Sequence, residues 1–135
     1  MNDDVAKIIK EAGQRVREVW KHKENPEELS RLGVELTALS WAIGEWYADF
    51  DNQEREAKTE IDLEHAELVE QYINQDMPVS RAEVKAKIKM GDKRREYNKI
   101  VTGVTKTKIA RHDIEKCVDM VRTRISLIKE DLRKQ

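Results

Sequence analysis

Residues 76–83 read Asp76-Met77-Pro78-Val79-Ser80-Arg81-Ala82-Glu83, and they decide how the rest of the chain folds. Proline has no N–H to give a helix, and its ring disfavours helical geometry in the residue before it, so a helix arriving from the N-terminal side ends here. Ser80-Arg81-Ala82-Glu83 then has the form of a capping box, in which the serine hydroxyl accepts from one free N–H and the glutamate reaches back to another. One helix stops, the chain reverses, and another begins.

Upstream, Asn25-Pro26-Glu27-Glu28 reads as a helix start, with Asn25 as cap, Pro26 in the first turn where its missing N–H had no partner, and two carboxylates at the positive helix end. From there Leu29, Leu32, Leu36, Leu39, Ile43, Trp46 and Phe50 alternate at three and four, the seam of a coiled coil or tight bundle. The pattern loosens after Phe50 and resumes at Ile61, Leu68 and Tyr72, which predicts one helix over 26–75. Beside the seam, Gly33, Thr37, Ser40, Gly44 and Ala48 form a line of small residues that lets another helix approach closely. Before Asn25, the apolar face Val5, Ile8, Ile9, Ala12, Val16, Val19 and Trp20 predicts a helix over 4–23.

Downstream, Val84 and Ile88 mark one apolar face, whereas Tyr97, Ile100 and Val104 fall almost opposite when 100° per residue is continued through Gly91. Two helical pieces, 81–90 and 93–133, reconcile them, with a kink near 91–92 where Gly91 ends the first and Asp92 caps the second. Ile100 to Thr107 is rich in β-branched residues, but nothing else offers a strand to pair with, so helix is favoured there. Ile114, Val118, Val121, Ile125, Ile128 and Leu132 then restore a heptad seam that runs to the C-terminus.

The expected fold is all-α: a single domain over 1–135, with a short N-terminal helix and a long antiparallel helical hairpin with coiled-coil-like seams. Arms of about 45 to 50 residues would span about 70 Å. Arms that thin, carrying Trp20, Trp41, Trp46 and Tyr47 besides the seams, need more surface to bury against, which predicts a homo-oligomer.

Composition agrees with long solvated helices: of 135 residues 39% are charged and 5% aromatic, with five Gly and two Pro. No run approaches the roughly 20 apolar residues of a membrane span, and MNDDVAKIIK has no apolar signal core, so the expectation is a cytoplasmic protein, in the host cell cytoplasm if phage-encoded, with no membrane partner. The single Cys117, set among apolar neighbours, reads as a small core residue. Asp62-x-x-His65 and the reversed His112-x-x-Glu115 are the nearest approach to a paired metal motif, and the carboxylates expected from two further helices are missing. His22, His65 and His112 are scattered on polar faces, and no phosphate loop or catalytic triad appears. The reading is a non-enzyme without cofactor or metal.

The charge is unevenly placed. Glu24 to Asp76 holds three basic residues against fifteen acidic ones, and Met77 to Arg111 holds eleven basic against three. Arg81, Lys85, Lys89 and Lys93 recur every four residues as a cationic stripe, and with Lys87, Arg94, Arg95 and Lys99 they suit a phosphate backbone, which takes charge without base-specific geometry. Tyr97 could add stacking. The structural alternative pairs these cations with the acidic arm of the same or a neighbouring subunit, for example Glu56, Glu60, Glu64, Glu67 and Glu70.

Val84-Lys85-Ala86-Lys87-Ile88 and the C-terminal Cys117-Val-Asp-Met-Val-Arg-Thr-Arg-Ile-Ser-Leu-Ile-Lys-Glu-Asp-Leu-Arg helix resemble the UvsY-type phage recombination mediators over roughly Leu29 to the end. That family forms ring-like oligomers, binds single-stranded DNA, and helps a RecA-like recombinase replace single-strand binding protein. The resemblance implies a DNA-contacting role for Lys85 and Lys87, while Lys89, Lys93, Arg94, Arg95 and Lys99 are assigned by charge alone. The family carries its Leu-Lys-Ala-Arg-Leu segment before a glycine-rich turn, whereas the matching stretch here follows Pro78. The competing expectation is a structural coiled-coil protein, such as a phage assembly chaperone, scaffold or adaptor, with no nucleic-acid role.

Overall fold

A computed structural model describes residues 3–135. Among them lie four helices and no strand: α1 (Asp3–Lys21), α2 (Pro26–Asn74), α3 (Val79–Lys89) and α4 (Gly91–Lys134). The β-branched stretch at 100–107 is helical, inside α4. The chain divides into two compact units, the first made of Met1–Ala48 with Thr105–Gln135 and the second of Asp49–Val104, so α2 and α4 each contribute to both. No helix is long and apolar enough to cross a membrane among the described residues.

The first unit packs α1 and the first half of α2 with the last part of α4. Asn25 starts α2 as expected, its Oδ1 accepting from the N–H of Glu27 at 3.2 Å and of Glu28 at 3.3 Å. Leu29, Leu32, Leu36 and Ile43 are fully buried against Val19, Ile114, Val118 and Val121, with Cys117 among them and Leu39, Ile125 and Ile128 packed around the rim. Trp46 is half-buried. Burial pushes the Cys117 thiol up, as befits a core residue. Each fully buried leucine or isoleucine contributes about 1.5–3 kcal/mol. The small-residue line receives α4: a Cβ on Gly33 would lie 3.3 Å from Val121 Cγ1, and one on Gly44 would lie 3.4 Å from the Arg111 guanidinium. Index 33 opposite 121 and 44 opposite 111 means the two segments run antiparallel.

These seams are filled within the chain. Because Leu29, Leu32, Leu36, Ile43 and Ile114 are buried within the chain, the heptad spacing at these positions does not by itself call for self-association, and Leu132, the last of the C-terminal seam, is 61% exposed. Nor are all the aromatics buried: Trp20 is 59% and Trp41 76% exposed.

Polar contacts fix α1 on α2. Arg15 Nε donates to Glu35 at 2.8 Å, and Arg31 bridges Glu28 at 2.7 Å and Glu35 at 2.8 Å, with Glu18 at 3.8 Å. The Arg31 hydrogen bond holds the Glu28 carboxyl below the usual carboxylate range. Burial pushes Glu35 the other way, but hydrogen bonds from Arg15 and Arg31 win and its pKa is also lowered. At the α1–α2 loop, Arg124 of α4 donates to the Lys23 carbonyl at 3.1 Å and pairs with Glu24.

In the second unit α2 ends at Asn74, within one residue of the expected 75. Asp76 takes a left-handed φ of 64°, and the Met77 N–H returns to the Tyr72 carbonyl at 3.2 Å. Asp76 thus does what glycine usually does beyond a helix C-terminus. The expected capping box does not form. Pro78, at φ −56° and ψ 144°, is itself the cap residue, with no side-chain cap bond, and its carbonyl accepts the Ala82 N–H at 2.9 Å. Helix α3 therefore starts at Val79, which places Ser80 inside the first turn instead of ahead of it.

The packed face of α3 also differs from expectation. Val84 and Ile88 are 59% and 75% exposed, while Ala82, Ala86 and Met90, one residue per turn, are buried, the two alanines against Tyr72, Leu68, Val69 and Met77. The interruption before α4 falls at Met90, with φ −83° and ψ 3°. Gly91 opens α4 instead of closing α3, and the ladder carries on through the joint, with the Met90 N–H bonded to Ala86 O and the Arg94 N–H to Met90 O, both at 3.0 Å. Phe50 lies against Gly103, and Glu64 meets Lys93, so here too the α2 and α4 segments are antiparallel.

Candidate nucleic-acid interface

Because α3 is held by alanines and Met90, its other positions are free to face outward. Arg81, Lys85, Lys87 and Lys89 are all exposed on this one helix, with Val84 and Ile88 between them. Arg81, Lys87 and Lys89 have no acidic partner within 4 Å among the described residues. Lys85 bends toward the helix below, its Nζ 4.7 Å from the centre of the buried Tyr72 ring, a cation–π contact that leaves its charge uncancelled.

Around the start of α4 the cations are more occupied. Lys93 donates to both carboxylate oxygens of Glu64 in α2, Arg95 pairs with Asp92, and Lys99 donates to Glu96 at 3.1 Å. Arg94 is half-buried, and its Nε has no hydrogen-bond partner, nor does Nδ1 of half-buried His65. Tyr97 is half-buried as well.

The seven cations named from sequence thus separate. Lys85, Lys87 and Lys89 lie along α3, and Lys93, Arg94, Arg95 and Lys99 lie on the first turns of α4, with carboxylates beside three of those four. Arg81, part of the periodic stripe but outside the seven, stands with the unpaired set; its i, i+4 spacing to Lys85 was the signal that could have included it. Among the described residues, of the five α2 carboxylates that could have absorbed this charge within the chain, Glu64 does so, while Glu56, Glu60, Glu67 and Glu70 have no ion pair. Within the chain the structural alternative accounts for Lys93, and for the α3 cations it would need the carboxylates of a neighbouring subunit.

Exposed pairs such as Lys93–Glu64 contribute about 0–1 kcal/mol each, so a polyanion could exchange with Glu64 at small cost. Among the described residues no group of three or more His, Cys, Asp or Glu is placed to hold a metal ion. No protein-family model, curated protein or solved structure matches this chain. The likeness to UvsY-type mediators rests on the residues quoted for it.

Proposed function

We propose that this protein is a non-enzymatic, oligomeric single-stranded-DNA-binding mediator of recombination that contacts the phosphate backbone through α3. The observation that carries the reading is the set of exposed, unpaired cations Arg81, Lys87 and Lys89 on one short helix, with Lys85 beside them. A flexible single strand suits such a set around one helix, since phosphates take charge from Lys and Arg at many spacings. The resemblance to UvsY-type proteins adds the role: helping a RecA-like recombinase displace single-strand binding protein.

The test is the affinity for a labelled oligonucleotide at several salt concentrations. Binding should weaken with a log-log slope of about −0.7 per phosphate neutralised. Changing Arg81, Lys87 and Lys89 together to Glu should abolish it while the helical content and melting temperature hold. Retained binding in that variant would sink the assignment to α3.

A second reading, a structural adaptor or scaffold, is favoured by one observation in the first unit. Val34 and Trp41 are 70% and 76% exposed beside a groove lined by Gly33, Thr37, Val118 and Ile125. A protein that binds no oligonucleotide at low salt, yet loses a protein partner on Trp41→Ser, would be of this kind.

A further inference from the structure

The first unit carries a second groove with no part in its core. It is lined by Tyr47 of α2 and by Lys108, Ile109, Arg111, His112 and Glu115 of α4. Spacing explains why α4 lines it: residues 108, 111, 112 and 115 recur at three and four and so share a flank of the helix. Tyr47 is half-buried at its edge, and Ile109 is 55% exposed. Arg111 lies over Gly44, where a larger residue would crowd it, and its Nε forms an ion pair with Glu115 at 3.2 Å. The one carboxylate lining the groove therefore has a cation beside it already. Lys108 and His112 are exposed, with no ion pair among the described residues.

An aromatic ring, an exposed aliphatic side chain and an uncompensated ammonium around one hollow are the parts that hold a nucleotide unit of a single strand. Every base has a π-face to lay on an aromatic ring whatever its sequence, and the flanking phosphate needs only a nearby cation. A purely structural charge patch would need no ring in the groove, and a purely apolar docking site would leave Lys108 and His112 without a role. We infer that this groove binds one nucleotide of a single-stranded nucleic acid, with the base against Tyr47 and the phosphate at Lys108 and His112. The inference rests on the single-strand-binding reading but uses none of the α3 cations.

The experiment is photo-crosslinking of the full chain to an oligothymidylate carrying 5-iodouracil, with the linked residue identified by mass spectrometry. It is paired with affinity measurements on Tyr47→Leu, Tyr47→Phe and Lys108→Gln. The expected result is a crosslink at Tyr47. Tyr47→Leu should bind the oligonucleotide roughly ten-fold more weakly, Tyr47→Phe should match the wild type, and a base-free deoxyribose-phosphate oligomer should not distinguish them. Lys108→Gln should reduce the salt slope by about 0.7. A crosslink confined to Tyr72, Tyr97 or another residue of the second unit overturns the groove and leaves single-strand binding standing. Equal loss with Tyr47→Phe and Tyr47→Leu overturns stacking as the mode of contact. Absence of any oligonucleotide binding by the wild type removes the parent reading and the groove with it.

Discussion

Lys93 donates to both carboxylate oxygens of Glu64, a residue 29 positions earlier, and so ties the start of α4 to α2 by an ion pair within the second unit. The pair is exposed, which keeps its contribution to stability small, but it withholds one cation from any anionic ligand. Glu64→Gln should therefore melt within a few degrees of the wild type while steepening the salt dependence of oligonucleotide binding by up to about 0.7, as Lys93 becomes free to meet a phosphate. Fluorescence anisotropy across a salt series reads both the slope and the affinity.

Leu36 is fully buried in the core of the first unit. Leu36→Ala removes the transfer energy of the lost methyl groups and leaves a cavity, so unfolding should become easier by about 2–5 kcal/mol. A urea titration followed by circular dichroism measures it, and an unchanged midpoint would mean this seam is not the core.

The two faces of α3 should respond in opposite ways. Ala86→Leu forces extra volume against Tyr72 and should cost about 1–3 kcal/mol. Ile88→Ala, on the exposed side, should change stability by less than about 0.5 kcal/mol. A thermal melt of the two variants would show the reverse order if Val84 and Ile88 were the packed face.

Glu35 should contribute to stability in a pH-dependent way. Its pKa in the folded protein is lowered by Arg15 and Arg31, so the stabilisation is fully present above the ordinary carboxylate value of 4.5 and is lost as pH falls through the lower, folded value. Glu35→Gln should be less stable than the wild type at pH 7, and the gap should close on acidification below pH 4.5. Denaturant midpoints from pH 7 down to pH 3 would test this, and a constant gap would mean the pair is not coupled to folding.

Where the sequence pattern is regular, it reads through to the structure. Leu29 to Ile43 and Ile114 to Val121 alternate at three and four because they line one helix face, and that face is the core of the first unit. What they do not reveal is whose helix fills the seam, since an intrachain partner and a second copy impose the same spacing. The α3 face was harder to read for a different reason. Hydrophobicity ranks Val84 and Ile88 above Ala82 and Ala86, yet the two alanines are the ones that cluster with the buried Tyr72 ring, whose size supplies the apolar contact the alanines lack. At Ser80 a motif of the right letters lost to the backbone, because Pro78 already holds the extended geometry of a cap residue and the helix opens two residues earlier.

On the ligand side, concentrated charge was visible, but its division into bound and unbound cations was not. That division depends on which carboxylate a folded helix brings opposite each lysine, as Glu64 is brought to Lys93. Tyr47 and Lys108 stand 61 positions apart, and neither carries a local signature; only the antiparallel pairing of α2 and α4 within the first unit makes them neighbours.

The alanine footing of α3 has a consequence for how this surface can change over generations. Side chains that hold nothing up can be exchanged without a compensating substitution beneath them, so Arg81, Val84, Lys87 and Ile88 can drift in charge and size while the helix stays where it is. A lineage bearing this protein could recast this exposed surface one codon at a time.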